Sequence, residues 1–511
     1  MITWKIRYGK ILALFSELRD PAWTVLEVGA GGSGIRNYLP RPVVSVDLDH
    51  THARSAGAPG VTADATRLPF ADGSFDCVLC VDTLEHVAAA SRTLAIRELA
   101  RVSRNKLVIG LPMGAFAAWG DEQYHQLLRG RNAPTPTWLA EHLTLGIPSV
   151  GSILRGVAEL GLGFRIHGNE TLIQHYSGLL ADEAAFLRQA NFVLNRKHAD
   201  SPPIGAGEGD VYYSYLVEVD RFSAGSEYPP IPAPSTQKMP SDAEGSISLY
   251  CVGHDPERML PLSGYRHFFV GKTPPAGFSE DICVECDDKE YSIAERNPHY
   301  SELTAIYSIW KNARHGDFVG FCHYRRLFNF LGGDTTRRDH AIATRASFEE
   351  ARPAMEAMES CRSFLVQGGV VVAREDTPQP TVAEQYMDAH FADHYLLAIN
   401  HILQYYPHLT PYAVRQFESN KGYFNNMFIC PASFFDETCT WWFAALFHIG
   451  EHLTPPHDAY QKRSMAFLSE RLLDIYLRWR FATGTPKREL PIFFLADSVF
   501  SSSDCFAASA R

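Results

Sequence analysis

Residues 24–34 read TVLEVGAGGSG, an apolar run that enters a glycine-dense turn. Val25, Leu26 and Val28 have the character of a short strand buried in a parallel sheet. Gly29, Gly31, Gly32 and Gly34 let the chain turn tightly into a following helix and leave bare backbone for a ligand to approach. Gly29, Gly31 and Gly34 also fit G-x-G-x-x-G, a spacing used by dinucleotide sites, which alone does not select the ligand. The neighbours narrow the choice. Glu27 precedes the first glycine and disfavours a pyrophosphate, and a second apolar segment, VVSVDLD, reaches Asp47, whose carboxylate can accept both hydroxyls of a ribose.

Farther along, VTADATRLPFADGSFDCVLCVDTLEHV supplies Asp64 after a third short strand. A fourth strand, Phe75 to Val81, opens into Asp82, Thr83, Leu84, Glu85 and His86. With E-V-G-x-G-x-G, the acidic end of strand two, D-A-x-x-L-P-F and L-E-H-V in order, residues 24 to about 112 resemble class I S-adenosylmethionine (SAM)-dependent methyltransferases of the type 11 group. The resemblance implies a Rossmann-like α/β domain. It places Gly29 and Gly31 against the methionine part of the cofactor, Asp47 on the ribose, and Asp64 with Ala65 at the adenine. Glu27 and Asp82 complete the implied cofactor-binding set. SAM carries a sulfonium and no phosphate, so acidic residues near the loop are tolerated.

The chain has 511 residues, which at roughly 100 to 200 per domain suggests two to four domains. With 47 basic against 58 acidic residues the formal charge is −11, arguing against nucleic acid as a partner. The closest cysteine pairs, Cys77 with Cys80 and Cys283 with Cys286, have no second pair at zinc-ribbon spacing and read as reduced, structural thiols of a cytoplasmic protein. The first 20 residues read as an amphipathic helix, and no uncharged apolar run approaches the roughly 18 residues of a membrane span. Peripheral contact with a membrane, at its inner face, is left open, as is the oligomeric state.

Residues 115–206 read as a helical, irregular insertion that covers the methyl acceptor, and VYYSYLVEVDR, 211–221, as a returning edge strand. A hydroxyl acceptor calls for a base. His86, Glu122, His125 and His142 are the candidates, and His125 is preferred. The Pro- and Ser-rich segment 223–246 reads as a linker. The expected domains are therefore 1–222, a linker 223–246, and 247–511.

The second half restarts with ISLYCVGH and HFFVGK. Asn297 and Pro298 suit the start of a helix whose Leu303, Ile306, Tyr307 and Trp310 form a buried face. The strand DFVGFC then delivers His323, Tyr324, Arg325 and Arg326 at its C-terminal end, where open α/β sheets bind ligands. On NPHYSELTAIYSIWKN at 297–312, GFCHYRRLF at 320–328, Glu384, Gln385, Tyr386 and His390, NNMFIC at 425–430 and FLSERLLDIYL at 467–477, residues 247 to about 480 resemble the DUF4422 family. The resemblance implies a bacterial capsule or exopolysaccharide glycosyltransferase of GT-A-like α/β architecture. Where such enzymes carry Asp-x-Asp this chain has His-Tyr-Arg-Arg, so dependence on a divalent metal stays open, with Asp287 and Asp288 as weak ligand candidates. Arg325 and Arg326, with Lys311, are the expected phosphate clamps, His323 and Tyr324 line the sugar, and Glu302 or Asp288 is the base of an inverting reaction.

These readings point to a bifunctional enzyme of surface polysaccharide synthesis (capsule, O-antigen or exopolysaccharide). It would use SAM and a nucleotide-sugar donor and act on a glycan or lipid-linked glycan. The alternative is a methyltransferase whose C-terminal half only binds glycan.

Overall fold

The computed structural model describes residues 2–31, 34–39, 41–49, 60–183, 210–220, 245–271, 273, 284–332 and 339–500. All but the last two residues of the expected linker, and Cys283, lie outside these. The chain forms two compact units, Met1–Tyr228 with Gln379–Asn420 and Pro229–Pro378 with Lys421–Arg511. Residues 379–420, expected in the C-terminal domain, therefore belong to the first unit.

The first unit is built on β1 (Val25–Val28), β2 (Val44–Asp47), β3 (Gly60–Thr62), β4 (Phe75–Val81), β5 (Ser103–Pro112), β6 (Gly163–Thr171) and β7 (Tyr212–Asp220), in the order β3-β2-β1-β4-β5-β7-β6. β1 to β5 are parallel neighbours, and β7 runs antiparallel to both β5 and β6. In β4, FDCVLCV, all residues but Asp76 are buried, as a parallel strand covered on both faces requires. Tyr8 and Ile11 of the N-terminal helix Ile2–Leu14, with Phe15 and Leu18, pack against Cys77, Leu79 and Ile35.

Two expectations change here. β7 is an interior strand, and β6, within the segment read as helical, takes the outer position. The alternation of YYSYLVEVD resembles a half-exposed edge, yet eight of its nine residues are buried. Cover for β6 comes from the helix Ala392–Tyr405: the Asn400 side chain accepts from Ile166 N–H and donates to Ile166 C=O, both at 2.8 Å. An unpaired strand edge is thereby satisfied.

The second unit contains β8 (Ile247–Gly253), β9 (Tyr265–Phe269), β10 (Val284–Cys286), β11 (Phe318–His323), β12 (Arg326–Phe328), β13 (Asp339–Ile342), β14 (Val370–Ala373), β15 (Phe428–Pro431), β16 (Lys487–Leu490) and β17 (Ile492–Leu495). β10, β9, β8 and β11 are successive parallel neighbours. β15 and the hairpin strand β12 join β11 antiparallel. The expected single helix from Asn297 is two, Asn297–Tyr300 and Leu303–Lys311, broken at Ser301, whose φ is 46°. Tyr307 and Trp310 are half-buried and pack on Phe443, the latter stacked at 5.7 Å, while Leu303 and Ile306 of the same helix are fully buried. No helix among the described residues is long and apolar enough to cross a membrane.

Candidate active sites

At the C-terminal ends of β1, β2 and β4 lies a cavity of about 680 Å³ whose lining includes Gly29, Asp47, Leu48, Asp64, Ala65 and Asp82. Gly29 has φ 78°, and a Cβ there would come within 1.9 Å of Thr83 Oγ1, so the turn and the seat of Thr83 both require glycine. Gly31, φ 50°, donates its N–H to Asp47 Oδ2 at 2.9 Å, tying the loop to the end of β2. Asp64 accepts from Thr66 N–H at 2.8 Å, and that bond, with a second from the Thr66 hydroxyl, holds its carboxyl below the ordinary range.

Glu27 is not on this wall. It is 1% exposed and accepts from Tyr8 Oη and from Ile35 N–H, both at 2.7 Å, and burial pushes it up to about 7. A Cβ at Gly34 would lie 2.2 Å from Glu27 Oε2, so the carboxyl fills the underside of the loop as a brace. Asp82, with φ 48°, lines the cavity and pairs with Arg7.

Behind Asp82 runs a buried polar chain. Arg7 Nε donates to Glu170 Oε2 at 3.1 Å, and His175 Nδ1 lies 3.2 Å from the same oxygen. His175 stacks on Tyr213 at 3.6 Å, Tyr213 Oη donates to Asp121 Oδ1 at 2.9 Å, and Asp121 Oδ2 lies 2.7 Å from His142 Nδ1. His142 faces His86 across 5.0 Å, and His86 Nδ1 sits 2.7 Å from Glu141 Oε2. Burial, reinforced by His142, keeps the His86 imidazole below its ordinary range, and burial raises Glu85 to about 7. His125, preferred from the sequence, does not line the cavity, whereas His86 and Glu141 do. Cys77 and Cys80 are buried free thiols, and burial pushes Cys80 up to about 12.

The cavity fits SAM by the chemistry of its donors: two strand-end carboxylates suit a ribose and an adenine amine, and Leu48, 72% exposed on the same wall, offers an apolar surface to a purine.

In the second unit a cavity of about 610 Å³ opens at the ends of β8 and β11. Its cations are Arg325, Arg326, Lys462 and Arg463, its imidazoles His254 and His323, and its carboxylates Glu302 and Glu470. Arg325 Nε donates to Leu495 C=O at 3.3 Å, and Arg463 Nε to Ser301 Oγ at 3.1 Å, so both guanidinium groups are anchored from the side. His323 Nε2 donates to Asn425 C=O. Asn425 and Asn426 both have left-handed backbone, φ 72° and 50°. Asn425 N–H donates to Glu470 Oε1 at 3.0 Å, and Asn426 Nδ2 donates to Glu302 Oε1 and Ser469 Oγ, both at 2.9 Å. Two left-handed residues in a row are thus held by the side chains of Glu470, Glu302 and Ser469. Burial raises Glu470.

Asp287 and Asp288 do not line that cavity. Asp287 is 1% exposed with its carboxyl raised by burial, and Asp288 is paired with Arg314. Lys311 lies over the Trp310 ring at 3.7 Å and is also off the wall. Sequence reasoning missed Lys462, Arg463 and Asn425 as cavity residues. The adjacent basic pair ahead of FLSERLLDIYL was the available signal. It also missed the set of Arg7, Asp121, Glu170, His175 and Tyr213, residues far apart in the chain with no shared spacing to betray them.

Residues 26–108 match a family model described as a methyltransferase domain, and residues 248–480 one described as a domain of unknown function, DUF4422. No curated protein matches the chain. Among solved structures it is similar to the apo form of the WbbM bifunctional glycosyltransferase, at 24% identity and a TM-score of 0.42, over 49% of this chain and 45% of that one. The chain thus spans less than half the length of that protein. It is also similar to magnesium protoporphyrin IX methyltransferase from Synechocystis PCC 6803 with bound SAH, at 14% identity and a TM-score of 0.28, over 42% and 83% of the two chains. A third similar structure is geranyl diphosphate C-methyltransferase from Streptomyces coelicolor A3(2), at 14% identity and a TM-score of 0.27, over 41% and 77%.

Proposed function

Because the chain joins a SAM-dependent methyltransferase domain, matched over residues 26–108, to a DUF4422 domain, matched over residues 248–480, we propose a bifunctional enzyme of bacterial surface polysaccharide synthesis. The first unit methylates a sugar hydroxyl, and the second transfers a glycosyl group from a nucleotide sugar to a glycan or lipid-linked glycan on the cytoplasmic side of the membrane. The observation that carries the second activity is the convergence of Arg325, Arg326, Lys462 and Arg463 on one cavity at the end of a central strand. Guanidinium groups grip phosphate oxygens in a bidentate way and stabilise the charge that builds on a departing diphosphate. Fixed cations supply there what paired aspartates supply through a metal.

In the first unit the cofactor brings an electrophilic methyl group on a sulfonium. Asp47 and Asp64 hold its nucleoside, the Gly29–Gly31 loop takes its amino acid part, and the acceptor hydroxyl is activated at His86, which lines the cavity with Glu85 and His142 buried behind it, in place of His125. Tethering the two activities raises the local concentration of one glycan end at both sites.

Calorimetric titration of the full chain tests this reading. S-adenosylhomocysteine should bind one site and be lost in Asp47→Ala. One nucleotide sugar from a panel should bind a second site, weakened at least ~10-fold in the double variant Arg325→Ala/Arg326→Ala with S-adenosylhomocysteine binding unchanged. A second unit that takes glycan and no nucleotide sugar is a recognition module, and the transferase assignment then falls.

A further inference from the structure

Glu85, His86 and His142 each offer one donor atom, and these three atoms lie within 4.8 Å of one another. Glu85 and His86 come from the turn Leu84–His86 that follows β4, and His142 from the helix Thr137–Leu145. Two further observations point to a ligand between them. Glu85 is 1% exposed and His142 5%, and neither Glu85 Oε2 nor His142 Nε2 has a hydrogen-bond partner. A buried carboxylate and a buried imidazole nitrogen are rarely left unsatisfied without a reason. The nearest guanidinium on the flanking helix does not answer them, because Arg92 donates to the main-chain carbonyls of Leu84, Glu85, Val87 and Gly146.

A carboxylate also stands beside each imidazole, and the one beside His142 orients its ring. Asp121 Oδ2 is hydrogen-bonded to His142 Nδ1 at 2.7 Å, which leaves Nε2 of that ring as the remaining nitrogen, and Glu141 Oε2 lies 2.7 Å from His86 Nδ1 as an ion-pair contact without hydrogen-bond geometry. His86 Nε2 is 4.0 Å from Glu85 Oε1. A carboxylate hydrogen-bonded behind an imidazole, as Asp121 is behind His142, is the arrangement that fixes tautomer and raises basicity in metal-ligating imidazoles. The donor set, two imidazoles and one carboxylate, suits Zn²⁺, Mn²⁺, Fe²⁺ or Co²⁺ and is poor for Mg²⁺.

We propose that Glu85, His86 and His142 bind one divalent transition-metal ion beside the methyl-donor cavity, with Asp121 and Glu141 as positioning residues. Of the three ligands His86 lines that cavity, beside Glu141, while Glu85 and His142 lie buried behind it, so the ion would meet the acceptor on the His86 side. The role of the ion rests on the methyltransferase reading of the cavity. A sugar hydroxyl on the ion loses its proton to solvent more readily. The resulting alkoxide oxygen then bonds to the methyl carbon as the carbon–sulfur bond breaks and sulfur keeps the electron pair.

The test uses the full chain, stripped with a chelator and titrated with Co²⁺ and Zn²⁺. Bound metal is read by elemental analysis and by the visible absorption of Co²⁺, with S-adenosylhomocysteine binding followed in parallel. One equivalent of metal is expected, lost in Glu85→Gln and in His142→Ala, weakened about 10- to 100-fold in Asp121→Asn and retained in His125→Ala. Circular dichroism shows whether each variant is folded, and the wild-type titration decides even where one is not. A wild-type chain that binds no equivalent, or a folded His142→Ala that keeps it, overturns the site. Metal bound without S-adenosylhomocysteine leaves the metal site standing and removes the methyltransferase reading. The reverse removes only the metal.

Discussion

Burial lifts the Glu27 carboxyl from its ordinary 4.5 to about 7, against the hydrogen bonds from Tyr8 and Ile35 that favour the ionised form. Its folded value lies above its unfolded one, so between these values the native state binds more protons. The associated stability is fully present below pH 4.5 and is lost as pH rises to about 7, a change on the order of 3 kcal/mol. Glu27→Gln, whose amide oxygen can keep the bond from Ile35 N–H while its NH2 donates to Tyr8 Oη, should remove this share of the decline in melting temperature, read by thermal unfolding at a series of pH values. A carboxylate beside a glycine loop is legible in sequence as a ligand group. Its role as a brace was not, because Tyr8 reaches it from another element.

The edge of β6 depends on one side chain at the element scale. Asn400 answers both main-chain groups of Ile166, and Tyr212 Oη donates to Asp393 Oδ1 at 2.6 Å from the same helix. Asn400→Ala leaves an N–H and a C=O at a covered edge without partners, and should cost about 1–3 kcal/mol in chemical denaturation, with cofactor affinity unchanged because the substitution is remote from Asp47. A loss within error would mean that water replaces the amide. The burial of β7 follows the same logic: its alternation of apolar and polar residues reads as an edge only while the cover over β6 is unknown.

In the whole molecule the chain leaves the first unit, returns to it for Gln379–Asn420, and leaves again. Expression of residues 1–228 alone is therefore expected to give a fragment that unfolds at lower temperature than the first unit of the full chain, or aggregates through the bare edge of β6. Equal stabilisation of fragment and full chain by S-adenosylhomocysteine, with matching melting temperatures, would show that the returning helices are dispensable. A cut placed in the Pro- and Ser-rich segment, which composition recommends as a boundary, removes those helices from the sheet they cover.

Much of this protein could be read from its sequence, wherever the physics is local. The TVLEVGAGGSG turn, the acids at Asp47 and Asp64, and the His-Tyr-Arg-Arg end of β11 each depend on a few consecutive residues whose strand, turn and charge character is set by neighbours. Tertiary structure alone decided what depends on distance in the chain. It turned Glu27 from a contact into a brace, brought Lys462 and Arg463 to Arg325 and Arg326, joined Glu85 to His142 and Asp121, and assigned residues 379–420 to the first unit. Such groupings leave no period or spacing behind, because burial and the satisfaction of polar groups act between elements that only the folded chain brings together.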